Sequence, residues 1–158
     1  MTVPRESRKR CRPMTLSDLD TVTLIEQSVA AFPWTSGNFT DCLDAGYECW
    51  VLEINGRVGA YLIMSVGGDD AHLLNLAVEP QQQRLGLGRR LLRKACLDAS
   101  RLGANRIQLE VRPSNQGARA LYEGEGFKGL AVRKDYYRSQ GLKEDAFVME
   151  LGLKSNPD

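Results

Sequence analysis

Two places in this chain combine residue types and spacings that point to chemistry: the glycine-rich stretch Gln83-Arg84-Leu85-Gly86-Leu87-Gly88 and the carboxylate of Glu110. The stretch follows an apolar run, residues 73–78, and opens an amphipathic segment that continues Arg89-Arg90-Leu91-Leu92. Glycines at such a junction leave backbone N–H groups bare at the positive end of a helix, an arrangement that holds phosphate. Arg89 stands close enough to meet the same anion. A dinucleotide fingerprint would need a third glycine where Leu91 stands, and a Walker loop would need Gly-Lys-Ser/Thr, which is absent. Glycine also serves tight turns that bind nothing, so the loop alone leaves a turn-only reading open.

Glu110 lies near the end of residues 106–111, where Ile107, Leu109 and Val111 alternate with Gln108 and Glu110. Strict alternation is the pattern of a half-buried strand. A carboxylate late in such a strand is either solvated or held as a base. Asn115 and Tyr122 are seven positions apart on the helix that follows, which places them on one side of it, about 10 Å apart along the axis. Asn115 can cap that helix as readily as it can touch a ligand. Tyr122, beside Leu121 and Ala118, reads on spacing alone as core. His72, the single histidine, precedes Leu73 and Leu74 and reads as a strand residue with a satisfied side chain. Pairing it with Cys96 for catalysis is the weaker alternative, because Cys96 sits among Leu92, Ala95, Ala99 and Leu102 as a packed thiol would.

The elements that must position these groups can be read in order. Residues 1–10, with Arg5, Arg8, Lys9 and Arg10, form a basic tail. A short strand is expected near residues 11–14. A helix starts at the capping Ser17, with Leu19, Val22, Ile25 and Val29 at helical spacing, and ends before Pro33. Ala31-Phe32-Pro33-Trp34 then carries two rings that serve either the core or a substrate groove. A second helix spans residues 36–44, with Thr35 as cap and Gly46 beyond its end. Asn55-Gly56 between residues 49–54 and 57–66 is a hairpin signal. A Gly-Gly-Asp-Asp turn leads to the strand over residues 71–78. The helix at residues 89–102 closes at Gly103, a shorter helix covers 115–123, and strands are expected at 127–133 and 146–151. Tyr136 and Tyr137 fall in a polar loop between those last two strands, where one of them could line a peptide groove.

Composition sets the bounds. A chain of 158 residues forms one domain and buries roughly 68–70% of its unfolded surface without staples. A net charge of +1 gives no general drive toward nucleic acid or membrane. No apolar run approaches the ~18 residues of a membrane span, and the N-terminus lacks the apolar core of a signal peptide. The four cysteines show no C-x-x-C spacing, and with one histidine a structural zinc site is not expected.

Strand, helix pair, three-strand meander, helix, strand, helix and two strands make a mixed α+β sheet. In that order the chain resembles the GNAT family of N-acetyltransferases from about residue 11 to residue 151. The resemblance rests on Leu76-Ala77-Val78, the Gln/Arg-x-x-Gly-x-Gly/Ala pattern of residues 83–88, Leu109-Glu110-Val111-Arg112, Ser114-Asn115, Ala120-Leu121-Tyr122-Glu123 and Gly126-Phe127. It implies the GNAT acyl-CoA N-acyltransferase fold: a central mixed sheet of about seven strands, flanked by helices and splayed between its fourth and fifth strands. A single domain over residues 11–153 would lie between the basic tail 1–10 and a C-terminal tail 154–158.

The same resemblance implies acetyl-CoA as co-substrate and no metal. Leu76, Ala77, Val78, Arg84, Leu85, Gly86, Leu87, Gly88, Arg89 and Asn115 would bind it, with Glu110 as general base and Tyr122 as general acid. Phe32-Pro33-Trp34, Asn75-Leu76-Ala77-Val78, Arg133-Lys134-Asp135-Tyr136-Tyr137 and Glu144-Asp145-Ala146 are similar to the branch that acetylates the N-terminal alanine of a small-subunit ribosomal protein. The expected partner is therefore the N-terminal segment of such a protein, with no direct nucleic-acid or membrane contact, and the expected state is a cytoplasmic monomer. A lysine side chain, polyamine or other small amine is the alternative acceptor, and a non-catalytic CoA-binding module the alternative class. Amine chemistry favours the first: at pH 7 roughly a tenth of an α-amine (pKa ~7.7–8.0) is neutral and able to attack, against about one in a few thousand for lysine at ~10.4.

Overall fold

Asn55 and Gly56 both take left-handed backbone, with φ of 54° and 83°, and this two-residue turn joins β2 (Glu48–Ile54) to β3 (Arg57–Gly67) as Asn-Gly predicts. The computed structural model describes residues 8–153. Its other elements are β1 (Lys9–Pro13), α1 (Leu19–Val29), α2 (Ser36–Asp44), β4 (Asp70–Val78), α3 (Leu87–Arg101), β5 (Arg106–Val111), α4 (Gln116–Gly124), β6 (Lys128–Ser139) and β7 (Leu142–Gly152). Short 3-10 turns precede α1 and α3. All seven strands form one sheet in the order β1-β2-β3-β4-β5-β7-β6.

Helices cover both faces. On one, Leu87, Leu91, Leu92, Ala95 and Ala99 of α3 pack with Leu62, Leu73, Ile107 and Leu109 of the sheet and Tyr122 of α4. On the other, Val22 and Ile25 of α1 and Phe39 and Cys42 of α2 pack against Val51, Tyr61 and Ile63. A fully buried Leu, Ile or Phe contributes roughly 1.5–3 kcal/mol, so this sandwich of helix, sheet and helix is what fixes the position of β4 and β5. Lys94, whose ammonium lies 3.7 Å from the Trp50 ring, adds a tie from α3 to β2. Among the described residues no helix is long and apolar enough to cross a membrane.

The caps follow the sequence closely. Thr35 Oγ1 accepts from Asn38 N, and Asn38 Oδ1 accepts from Thr35 N, closing a capping box at α2. At α1 the expected cap, Ser17, is displaced: Thr15 N donates to Asp18 Oδ2 at 2.8 Å, and Asp18 is held by Arg12 of β1. β1 also starts earlier than expected. Lys9 and Arg10 pair with Ile54 and Glu53, and Arg8 hydrogen-bonds to Asn55, rather than lying in a tail; residues 1–7 and 154–158 fall outside the described residues.

The larger correction concerns Tyr136 and Tyr137. Both belong to β6, in a long hairpin with β7 whose turn is Gln140-Gly141 (φ 49° and 80°). A register irregularity between Arg133 and Tyr137, with Asp135 at φ 51°, interrupts the alternation there, so the charged run reads as loop in sequence.

Candidate active site

β4 and β5 run parallel and pair at Asp70–Arg106, Ala71–Ile107, His72–Gln108 and Leu73–Leu109. The pairing stops there. β4 continues through residues 74–78 held by β3 alone, while Glu110 and Val111 turn to Val148 and Phe147 of β7. The sheet thus splays between its fourth and fifth strands, and backbone groups on that side of β4 have no neighbouring strand. A bulge at Leu74, opposite Ile63 and Met64, adds local twist to β4 where the gap begins.

A cleft of about 840 Å³ runs along the gap. Leu76, Ala77 and Val78 form one wall, Asn115, Ala118, Leu121 and Tyr122 the other, and Arg84, Gly86, Leu87, Gly88 and Arg89 one end. Gly86 caps α3 in the left-handed region (φ 81°), and Arg84 takes φ 67°. A Cβ on Gly88 would come to 3.3 Å from Leu121 Cδ2, so glycine lets α3 begin hard against α4. Gln83 Nε2 donates to Val78 O at 3.0 Å, tying the loop to the end of β4. These features fit a diphosphate-bearing ligand: bare N–H groups at a fifteen-residue helix, reached through a gap wide enough for a flexible arm.

Not every expected contact contributes in the same way. Leu87 buries its side chain in the core and offers the cleft only backbone. Leu85 is exposed and does not line the cleft. Arg89 lines it, yet its guanidinium is paired with Glu125 at 3.0 Å, and Arg93 shares that carboxylate. Asn115 Oδ1 accepts from Ala118 N at 3.2 Å, so the residue caps α4 while also facing the cleft. Ser114, through its N–H and its hydroxyl, donates to Glu144 of β7 and anchors that cap to the sheet.

A second, narrower cavity of about 160 Å³ opens on the α1 side. Glu110 and Tyr122 both line it, and Tyr122 lines the cleft as well, so Tyr122 borders both spaces. Burial pushes the Tyr122 hydroxyl up to about 12, which keeps it protonated at neutral pH. Glu110 Oε2 lies 2.5 Å from His72 Nε2, and Oε1 lies 3.9 Å from Arg133 Nη2. Phe32, Trp34 and Tyr137 wall the same cavity, with Phe32 stacked on Tyr137 at 5.6 Å and 30°. The rings of the α1–α2 connection and of β6 therefore meet across it.

The roles of two residues of this cavity, and of His72 that contacts its Glu110, escaped sequence reading. Glu26 is buried, accepting from the Tyr61 hydroxyl at 2.7 Å and from Trp34 N at 3.0 Å, and so fixes the Phe32-Pro33-Trp34 turn. A signal existed: Glu26 occupies the apolar stripe of Val22, Ile25 and Val29. Asn75 presents a buried Nδ2 with no partner among the described residues. His72 reaches Glu110 only through the parallel register of β4 and β5, which no local pattern specifies. Cys96 packs against the α3 core with its thiol pushed up to about 11 by burial, as a structural thiol should. Among the described residues no group of three or more His, Cys, Asp or Glu side chains could hold a metal ion.

Comparison with known proteins agrees with this geometry. Residues 14–127 match the model of the acetyltransferase (GNAT) family. The [ribosomal protein bS18]-alanine N-acetyltransferase of Escherichia coli strain K12 is 40% identical over 144 residues, covering 88% of this chain and 97% of that protein. The crystal structure of the ribosomal-protein-S18-alanine N-acetyltransferase from Escherichia coli superposes with a TM-score of 0.86 at 36% identity, covering 96% of this chain and 97% of the other. The fold alone is shared with the structure of yncA from Salmonella typhimurium with its cofactor acetyl-CoA, at a TM-score of 0.78 and 23% identity over 95% of this chain and 96% of that one. With its splayed parallel pair, its glycine loop and this similarity along nearly its whole length, the chain belongs to the GNAT family of acetyltransferases.

Proposed function

We propose that this protein transfers the acetyl group of acetyl-CoA directly to the α-amine of an N-terminal alanine, that of a small-subunit ribosomal protein of the bS18 kind on which its relatives act. One observation carries the mechanism: Glu110 and Tyr122 line a single cavity at the point where β4 and β5 part, and Tyr122 also faces the cleft beside the glycine loop. Acetyl-CoA, when bound, supplies an acetyl thioester already activated toward amines.

The chain's own groups divide the work. Backbone N–H groups at the start of α3 hold the diphosphate, and residues 76–78 of β4, with Asn115 across the cleft, line the path of the arm. Glu110 takes a proton from the incoming ammonium, directly or through one water, so that the neutral amine can attack. An unpaired backbone N–H near Val78 donates to the carbonyl oxygen as it gains charge. Tyr122 Oη keeps its proton and presents it to the departing sulfur. Phe32, Trp34 and Tyr137 pack around the first residues of the acceptor. No side chain needs to carry the acetyl group.

The α-amine preference is tested by incubating the protein with acetyl-CoA and two peptides beginning Ala-Arg, one with a free and one with a blocked N-terminus and each containing a lysine, followed by mass analysis. Acetylation of the free N-terminus alone is expected. Acetylation of the blocked peptide at lysine would remove the α-amine assignment.

A further inference from the structure

His72 is the only histidine in the chain. It stands on β4 in register with Gln108 of β5, and Glu110, two residues beyond Gln108, projects from the same face. Their contact is direct, Nε2 to Oε2 at 2.5 Å. The two ends differ in their access to water: the Glu110 side chain is 9% exposed and that of His72 is 34% exposed. Arg133 lies 3.9 Å from the other carboxylate oxygen, and Tyr136 and Tyr137 sit within the field of Glu110. The polar neighbours are otherwise engaged. Gln108 donates to Glu150 at 2.9 Å, and Arg106 pairs with Asp70.

The chemistry of the acceptor gives this contact a use. An α-ammonium must lose a proton before its nitrogen can attack, and the group that takes that proton must pass it on. A carboxylate only 9% exposed also needs a route for discharging its proton before the next turnover.

We propose that His72 is a positioning residue for Glu110 that also receives its proton and passes it to solvent, a role that rests on the assignment of Glu110 as base above. In the first step an N–H bond of the acceptor ammonium breaks and an O–H bond forms on Glu110. That proton crosses to His72 Nε2, which carries the free lone pair in the Nδ1–H tautomer, restoring the Glu110 anion and leaving an imidazolium. The imidazolium then releases one proton to water through the exposed part of its ring. The amine is left neutral, one proton has gone to solvent, and no electrons are exchanged.

The test is steady-state kinetics of the full chain carrying His72→Gln, His72→Leu or Glu110→Gln, with acetyl-CoA and an alanine-initiated peptide between pH 6.5 and 9.5. His72→Gln can still donate a hydrogen bond to the carboxylate but cannot take its proton; His72→Leu can do neither. Both are expected to lower kcat by about tenfold or more at pH 7 without moving the KM for acetyl-CoA. The deficit should narrow toward pH 9, where most of the α-amine is already neutral. A purely structural defect would give the same deficit at every pH, and that outcome overturns the proposal, as does a kcat within twofold of the unsubstituted enzyme at pH 7 for either His72 variant. If Glu110→Gln loses turnover while the His72 variants keep it, this inference alone fails; if Glu110→Gln turns over normally, the base assignment fails with it.

Discussion

Leu73 of β4 faces Leu109 of β5 in the last register pair between the two strands, and Glu110 is the next residue along. The carboxylate is thus presented at the seam itself, held by β7 on one side and open to the gap on the other. That relationship predicts where a ligand is felt. Hydrogen–deuterium exchange with and without CoA should show added protection at residues 76–78 and 84–89, whose amides border the gap or head α3, and none in β1 and β2. Protection confined to the β6–β7 hairpin would place the ligand elsewhere.

Gly86 heads α3 in a left-handed conformation that an L side chain adopts only at a cost of roughly 1–2 kcal/mol. Nothing lies within 4 Å of a Cβ built there, so conformation rather than crowding decides the outcome. Gly86→Ala should therefore raise the KM for acetyl-CoA about 5- to 30-fold, the equivalent of that cost, with kcat and the peptide KM little changed. An unchanged acetyl-CoA KM would separate the loop from the cofactor.

Asp18 ties the entrance of α1 to β1. The Arg12 guanidinium, ahead of the Thr15 hydrogen bonds, holds its carboxyl below the usual range despite burial. A carboxylate whose folded pKa is depressed stabilises the fold above its unfolded pKa, and that contribution is lost as the pH falls through the folded value. Asp18→Asn should cost about 1–3 kcal/mol at pH 7, read from denaturant midpoints. The cost should persist down to about pH 4 and shrink below it. A deficit that does not change on acidification would assign the effect to helix capping instead.

Tyr122 should shape the rate without shaping the pH profile. With burial holding its hydroxyl at about 12, it keeps its proton through the working range, so turnover should climb from pH 7 to pH 9 with the neutral fraction of the amine. Tyr122→Phe should lower kcat by roughly 100- to 10,000-fold and leave the form of the profile intact. An alkaline decline below pH 10 that vanishes in Tyr122→Phe would show a far more acidic phenol.

Local chemistry made most of the scaffold legible. Asn55-Gly56 gave its hairpin, Thr35 its cap, and the alternation over residues 106–111 gave β5 residue for residue. The conformation of the glycine loop is legible because Gly86 heads α3 in the left-handed region, whereas Glu110 sits on the polar phase of its strand and alternation alone leaves its role open. What stayed hidden depended on register and on the third dimension. His72 meets Glu110 across a parallel pair joined through α3, and Tyr137 reaches the cavity only because an irregular β6 turns it toward Phe32. Glu26 was visible as a misplaced charge on an apolar stripe; its partners Tyr61 and Trp34 were not. Arg89 looked available for phosphate because nothing near it in sequence predicts Glu125, thirty-six positions on, as its counter-ion.

The central claim is that Glu110 and Tyr122 act on a thioester lying in the β4–β5 gap, and the Glu110→Gln, Tyr122→Phe double variant tests it most directly. Turnover of an alanine-initiated peptide and the Kd for CoA would be measured on the same preparation. The account predicts that turnover falls at least about 1,000-fold while CoA affinity stays within about twofold. Tight CoA binding with turnover unchanged would contradict it and leave the gap as a binding site alone.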